Sequence, residues 1–211
     1  MKYEIINTGS DGNAVVINDI ILIDCGVTYK ALKPYVDKLK LVLLTHSHGD
    51  HFRSTTVRRL AAERPTLRWA GGLWMTPLLV GIVGKRNIDI LPSDGRKIDY
   101  KLFTVKSYST THNAENCAYS IEFKNGERLF YATDCNNLNG IEAKGYDLYM
   151  VEANYTDEEI AERIRSKEEQ GLFAYEKQVV KNHLSKKKAE NWLYDNMSAN
   201  SEYILMHGHK E

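Results

Sequence analysis

The stretch Leu41-Val42-Leu43-Leu44-Thr45-His46-Ser47-His48-Gly49-Asp50-His51 decides the reading of this chain. Four apolar residues in succession form a buried strand, and directly after it four groups able to ligate a cation fall within six positions. A strand that ends there fixes the backbone, so the chain can turn with His46 and His48 to one side and Asp50 and His51 to another. Gly49 is expected to permit the sharp turn between the two pairs. Imidazole and carboxylate are donors that zinc, manganese and iron accept. Without a cation, four such groups crowded together would repel when charged and be costly to desolvate.

Outward from this stretch, the first half reads as short strands at Tyr3 to Ile6, Ala14 to Ile17 and Ile20 to Ile23, with Asn18-Asp19 as a tight hairpin turn. Further on, Lys101 to Lys106 alternates, Tyr119, Ile121 and Phe123 sit two apart, and Leu129 to Ala132 and Leu148 to Val151 read as buried strands. Helical spacing appears at Val57, Leu60 and Ala61, and at Ala189, Trp192, Leu193 and Met197. The segment from Asp157 to Glu169 reads as a polar, exposed helix. Many strands with helices between and after them imply an α+β chain, with sheet packed on sheet and helices outside.

Composition sets the limits. The 211 residues suffice for a single domain covering 1–211 but not for two separate cores. No repeat or linker divides them. Lys plus Arg and Asp plus Glu number 28 each, so bulk charge does not drive the protein onto a polyanion or a membrane. No apolar run approaches bilayer length, which argues against a membrane partner. The opening MKYEIINTGSDGN offers nothing to a signal peptidase, and the three cysteines have unrelated spacings, so a cytoplasmic, reducing location is expected.

The pattern H-x-H-x-D-H after an apolar strand resembles the signature of metallo-β-lactamase fold hydrolases. That resemblance implies a four-layer αββα sandwich, with mostly antiparallel sheets and helices outside. It also implies two divalent metal ions, zinc first, with manganese or iron as other occupants. Matched motif by motif, His46, His48 and His112 correspond to the ligands of one metal, Asp50, His51 and His207 to those of the other, and Asp134 to the bridging carboxylate. Asp24, in Ile23-Asp24-Cys25-Gly26, resembles the aspartate that orients a ligand imidazole. His209 has no counterpart and reads as a polar tail residue.

Two further stretches favour one branch of that superfamily. Val151-Glu152-Ala153-Asn154-Tyr155 and Asn182-His183-Leu184-Ser185 resemble the glutamate and histidine motifs of its phosphodiesterases, tRNA 3′-end-processing endonucleases among them. The resemblance implies attack by a hydroxide bridging the metals, with Asp50, Glu152 and His183 in the catalytic set and His183 as proton donor to the leaving oxygen. Thr8-Gly9-Ser10-Asp11-Gly12-Asn13 resembles a G-S-x-G-N turn of small members and shapes a hairpin beside the site. The 49 positions from Asp134 to His183 leave no room for the large domain inserted in the RNA-cleaving β-CASP relatives. The implied partner is therefore a short nucleic acid or a cyclic nucleotide, and assembly as a homodimer stays open. So does a nucleic-acid role for Arg53, Arg58, Arg59, Arg64 and Arg68, or for Lys181, Lys186, Lys187 and Lys188. Two alternatives remain: thioester or lactam hydrolysis on the same metals, and a binding module with a vestigial metal site.

Overall fold

A computed structural model of the chain describes residues 1–208, so His209 lies outside the described residues. By contact density the chain divides into two compact units. The first comprises residues 1–99 and 106–108, the second residues 100–105 and those from 109 onward.

The first unit is built on a six-stranded sheet in simple sequential order. Its strands are β1 (Tyr3–Asn7), β2 (Ala14–Ile17), β3 (Ile21–Ile23), β4 (Leu41–Leu44), β5 (Arg68–Gly71) and β6 (Ile88–Ile90). Helices α1 (Tyr29–Leu32), α2 (Ser54–Glu63) and α3 (Thr76–Val83) connect β3 to β4, β4 to β5 and β5 to β6. Each crossover returns the chain in the same direction, so those three pairs are parallel, whereas β1–β2 and β2–β3 are antiparallel. All four residues of β4 are fully buried. Val42 and Leu44 join Leu22, Leu32, Val57, Leu60 and Leu79 in one core, which accounts for the apolar spacing of α2. Asn18 and Asp19 take left-handed φ values of 47° and 61° in the β2–β3 turn, as Asn and Asp tolerate.

The second sheet runs β12-β11-β10-β9-β8-β7. Its strands are β7 (Ile98–Tyr100), β8 (Phe103–Thr110), β9 (Asn116–Phe123), β10 (Arg128–Ala132), β11 (Leu148–Glu152) and β12 (Glu202–Met206). Here β9–β10 is antiparallel, while β10–β11 and β11–β12 are parallel. Between β11 and β12 lie α4 (Asp157–Glu169), α5 (Glu176–Asn182) and α6 (Lys186–Asn196). Thr156 caps α4 by accepting from the Glu159 amide at 3.3 Å, ahead of three acidic residues in the first turn. Trp192 of α6 packs tilted against Phe130 with ring centroids 4.7 Å apart and stands edge-on to Tyr149.

The chain is therefore α+β with two mixed sheets and, among the described residues, six α-helices. The sheets are mixed rather than mostly antiparallel, because helical crossovers join strands that the sequence pattern alone would pair as hairpins.

Candidate metal centre

In the first unit, the predicted residues gather where β3 and β4 end side by side. Asp24 follows β3 with φ of 59° and is wholly buried. Its carboxylate accepts from the Thr45 amide at 2.8 Å and the Thr45 hydroxyl at 2.9 Å, and lies 2.7 Å from His51 Nδ1. A buried carboxylate there places the imidazole proton on Nδ1 and leaves the Nε2 lone pair for a cation. His46 Nε2 lies 3.1 Å from His48 Nδ1, and the His46 and His51 ring centroids are 4.2 Å apart. His51 Nε2 is 3.4 Å from Asp50 Oδ2. The His46 ring thus neighbours both His48, at 4.7 Å between centroids, and His51.

What holds the Asp50–His51 turn is the loop between β1 and β2. Asn13, buried at the end of that loop, donates its backbone N–H to the Asp50 carbonyl at 2.6 Å. Its side-chain nitrogen sits 2.8 Å from His51 Nε2, while its oxygen accepts from the Gly9 amide at 2.9 Å. Gly26 makes the packing possible, since a Cβ there would lie 1.7 Å from the Asp50 carbonyl oxygen. Gly49, by contrast, has no left-handed φ, and a Cβ at that position would meet nothing within 4 Å. The close approach belongs to Gly26 rather than Gly49. Sequence reasoning places the Gly9–Asn13 turn beside the site but misses the hold of Asn13 and Gly26 on Asp50. Their contacts link residues 24 or more positions apart and leave no periodic trace.

In the second unit, β10, β11 and β12 present their ends together. Asp134, two residues beyond β10, and His207, the residue directly after β12, have φ of 49° and 55°. Asn116 donates to the carbonyls of Thr133 and Asp134 at 2.9 and 2.7 Å, holding the first of these turns. Asn154 donates to the His207 carbonyl at 3.1 Å, holding the second. Glu152, the last residue of β11, has no exposure. Its Oε2 accepts from the Cys135 and Leu184 amides at 2.9 and 3.3 Å, and its Oε1 lies 2.6 Å from His183 Nδ1. Ser185 caps α6, which leaves His183 and Leu184 as an extended link that the Asn154 amide ties to the Leu184 carbonyl. His112 lies 3.0 Å through Nδ1 from the Asn182 carbonyl, and its ring centroid is 5.3 Å from that of His183.

Donor atoms of Asp134, Glu152, His183 and His207 all fall within 4.8 Å of one another. His207 Nδ1 is 2.8 Å from Asp134 Oδ1, and His183 Nδ1 is 3.3 Å from the same oxygen. Burial lowers the affinity of His183 for a proton, but the bonds to Asp134 and Glu152 outweigh it and push its pKa up to about 10. Burial raises the Glu152 carboxyl above its ordinary value, against the pull of its bond to His183. The donors fit a divalent cation: buried carboxylates and imidazoles converge, and His51 and His112 each face a hydrogen-bond acceptor through Nδ1. The predicted ligands His46, His48, Asp50 and His51 lie in the first unit with Asp24, and the predicted ligands His112, Asp134 and His207 lie in the second with Glu152 and His183.

Several basic residues have structural partners. Arg64 donates to the Val36 and Leu39 carbonyls, Arg68 pairs with Asp89, and Arg59 lies over the Tyr29 ring at 4.2 Å. All three cysteines are buried, and among the described residues none forms a disulfide. Among the described residues, no helix is long and apolar enough to cross a membrane.

Two mixed sheets whose strand ends carry His and Asp donors define a metallo-β-lactamase type of fold, the architecture of metal-dependent hydrolases. The sequence profile of the Beta-lactamase superfamily domain matches residues 20–207, and the chain belongs to that family. The human short-form tRNase Z is similar in structure, with a TM-score of 0.71 and 17% identity over 100% of this chain and 93% of that one. The metallo-beta-lactamase fold protein YhfI from Bacillus subtilis gives a TM-score of 0.75 and 18% identity over 99% and 87% of the two chains. A diphosphatase from the PhnP family gives 0.64 and 13% over 98% and 85%. In sequence, cytidine monophosphate-N-acetylneuraminic acid hydroxylase from Mus musculus is 24% identical over 164 residues, 68% of this chain and 28% of that protein. The matched stretch is thus little more than a quarter of that relative's length.

Proposed function

We propose that the protein is a dinuclear metal-dependent phosphodiesterase acting on a short nucleic acid or a cyclic nucleotide. The observation that carries this reading is His183, whose Nδ1 lies 2.6 Å from buried Glu152 in the same group as Asp134 and His207. Two divalent cations held by His46, His48, Asp50, His51, His112, Asp134 and His207, zinc in first place and manganese or iron as alternatives, would supply Lewis acidity to the phosphoryl oxygens and acidify the attacking water. Glu152, anchored by two backbone amides, orients the His183 ring and keeps a proton on Nδ1. The Nε2 proton of His183 then passes to the departing alkoxide. Such a donor matters for a poor leaving group such as a ribose oxygen, and thioester hydrolysis does not require it. Asp24 holds His51 through Nδ1, the Asn13 backbone N–H holds the Asp50 carbonyl, and Asn116 and Asn154 hold the two left-handed strand ends. Three buried cysteines without a disulfide suit a reducing cytoplasm.

Metal analysis of the purified protein, with turnover of bis(p-nitrophenyl) phosphate in added manganese or zinc, tests the reading. About two ions per chain are expected, turnover stops on chelation, and Asp134→Ala abolishes it. A panel of single-stranded RNA, single-stranded DNA, cyclic mononucleotides and a thioester then separates substrate classes. Full activity without Asp134, or cleavage of the thioester alone, overturns the proposal.

A further inference from the structure

The second unit has a cleft of about 470 Å³, within the range of roughly 300–1,000 Å³ usual for small-ligand sites. One wall is the loop 136–139, which begins two residues after Asp134. The other is a face of α6 bearing Lys188, Asn191, Trp192 and Asp195, at the i, i+3, i+4 and i+7 positions that share one side of a helix. Leu184, the residue after His183, lines it as well.

The loop is held in shape. Asn136 donates its side-chain N–H to the Lys181 carbonyl at 2.9 Å, and Asn137 accepts from the Asn139 amide at 3.1 Å and donates to Asn136 Oδ1. Trp192 is fixed by its bond to the Ile141 carbonyl at 3.0 Å. The side-chain amides of Asn139 and Asn191, however, have no hydrogen-bond partner among the described residues. Lys188 reaches only a carbonyl, that of Asn136 at 3.4 Å, and pairs with no carboxylate among the described residues. Along α6 the charge changes from the ammonium of Lys188 to the carboxylate of Asp195, seven residues or about 10 Å further at 1.5 Å per residue.

A nucleotide has the same polarity and a similar length, with an anionic phosphate at one end and the hydrogen-bonding edge of a base at the other. Carboxamides pair donor and acceptor as base edges do, and a carboxylate accepts from an exocyclic amine or a ribose hydroxyl. We infer that this cleft seats the nucleoside adjoining the scissile phosphodiester, with Lys188 toward the phosphate and Asn139, Asn191 and Asp195 toward the base and sugar. The inference rests on the phosphodiesterase reading and adds to it that the protein grips the nucleoside of its substrate directly, in this cleft.

The full chain with manganese is assayed on thymidine 5′-(p-nitrophenyl phosphate), which carries a nucleoside, and on bis(p-nitrophenyl) phosphate, which does not. Lys188→Ala and Asn191→Ala, both at exposed helical positions, should each lower the ratio of the two kcat/KM values about tenfold through KM, the size of one hydrogen bond to a charged or well-placed group. Tyr194→Ala, on the exposed side of the same helix, should leave the ratio unchanged. A ratio that does not move in the first two variants overturns the inference. Calorimetric binding of adenosine 5′-monophosphate provides a readout free of turnover and should weaken about tenfold in Asn191→Ala. If the wild type cleaves neither ester, the phosphodiesterase reading fails, and the calorimetry still decides the cleft: unaltered affinity in Asn191→Ala refutes it.

Discussion

Replacing Asp24 by Asn changes one atom at the point where the first metal-binding group is organised. Asn tolerates the left-handed backbone that Asp24 adopts, so the turn survives. The amide oxygen can still accept from the Thr45 N–H at 2.8 Å, but an NH2 then stands 2.7 Å from His51 Nδ1, where the carboxylate had accepted a proton. To avoid facing donor with donor, His51 would have to carry its proton on Nε2. That nitrogen already faces the Asn13 side-chain amide at 2.8 Å, whose orientation is set by its oxygen accepting from Gly9 N and its nitrogen donating to Gly9 O. Either tautomer leaves one pair of donors opposed in a fully buried place. Losing a hydrogen bond to a charged group costs about 1.5–3 kcal/mol, which sets the expected loss of stability in urea unfolding of the metal-free protein. The same change should weaken metal binding by about 10–100-fold, the usual effect of removing the partner of a ligating histidine. That range is about 1.4–2.8 kcal/mol, so two independent routes give one magnitude. Competition titration with a chromophoric chelator measures the affinity, and ¹⁵N NMR of the imidazole reads the tautomer. Unchanged affinity together with an Nδ1–H tautomer in Asp24→Asn would refute the reasoning.

Gly26→Ala should cost about 1–3 kcal/mol in chemical unfolding, because its Cβ would meet backbone at Asp50 and Asn13 that cannot yield cheaply, whereas Gly49→Ala should stay within about 0.5 kcal/mol. Equal effects at the two glycines would contradict the assigned close approach. Glu152→Gln should reduce turnover of a dinucleotide by about 10²-fold or more while affecting a p-nitrophenyl ester much less, since an activated leaving group needs little proton donation; a uniform loss would point to a structural role instead. Cys25, Cys117 and Cys135 are buried, and burial pushes the Cys25 and Cys135 thiols up. A thiol reagent should therefore titrate none of the three in the native protein and all of them in denaturant.

Much of this arrangement is legible in the sequence. The apolar run Leu41–Leu44 and the donors behind it mark a strand end with a cation-binding turn. The polar helix expected from Asp157 to Glu169 has those bounds in the structure, because its cap and acidic first turn are local signals. Asp134 and His207 are readable as residues that follow apolar runs. The stretch holding β5, α3 and β6 is not, since strands of three or four residues joined by short helices show no sustained period. Lys101 and Lys106 bracket an alternation that in fact starts at Phe103 and runs to Thr110, with Lys101 and Leu102 in a turn. The mixed pairing of the sheets also escapes local pattern, as parallel partners lie a whole crossover apart. The holding roles of Asn13, Asn116 and Asn154 escape notice for a related reason: each acts on a backbone carbonyl distant in sequence, and an asparagine in a loop or at the start of a strand is unremarkable by itself.

Three strand ends, at Asp24, Asp134 and His207, turn through left-handed backbone without glycine. Asp, Asn and His are the non-glycine residues that such backbone accepts most readily, while a β-branched residue there would be strained. Two of those three types are also metal donors, so the shape of the chain and the chemistry of the site draw on the same short list of residues. This bears on how such a scaffold can diverge. A lineage that abandoned catalysis would be expected to drift toward Asn or Gly at these positions before Val or Ile, keeping the turns while discarding the donors. A return to Asp at two of these positions would then be a single-nucleotide step from either of them, so relief of backbone strain would leave the route back to a hydrolase open.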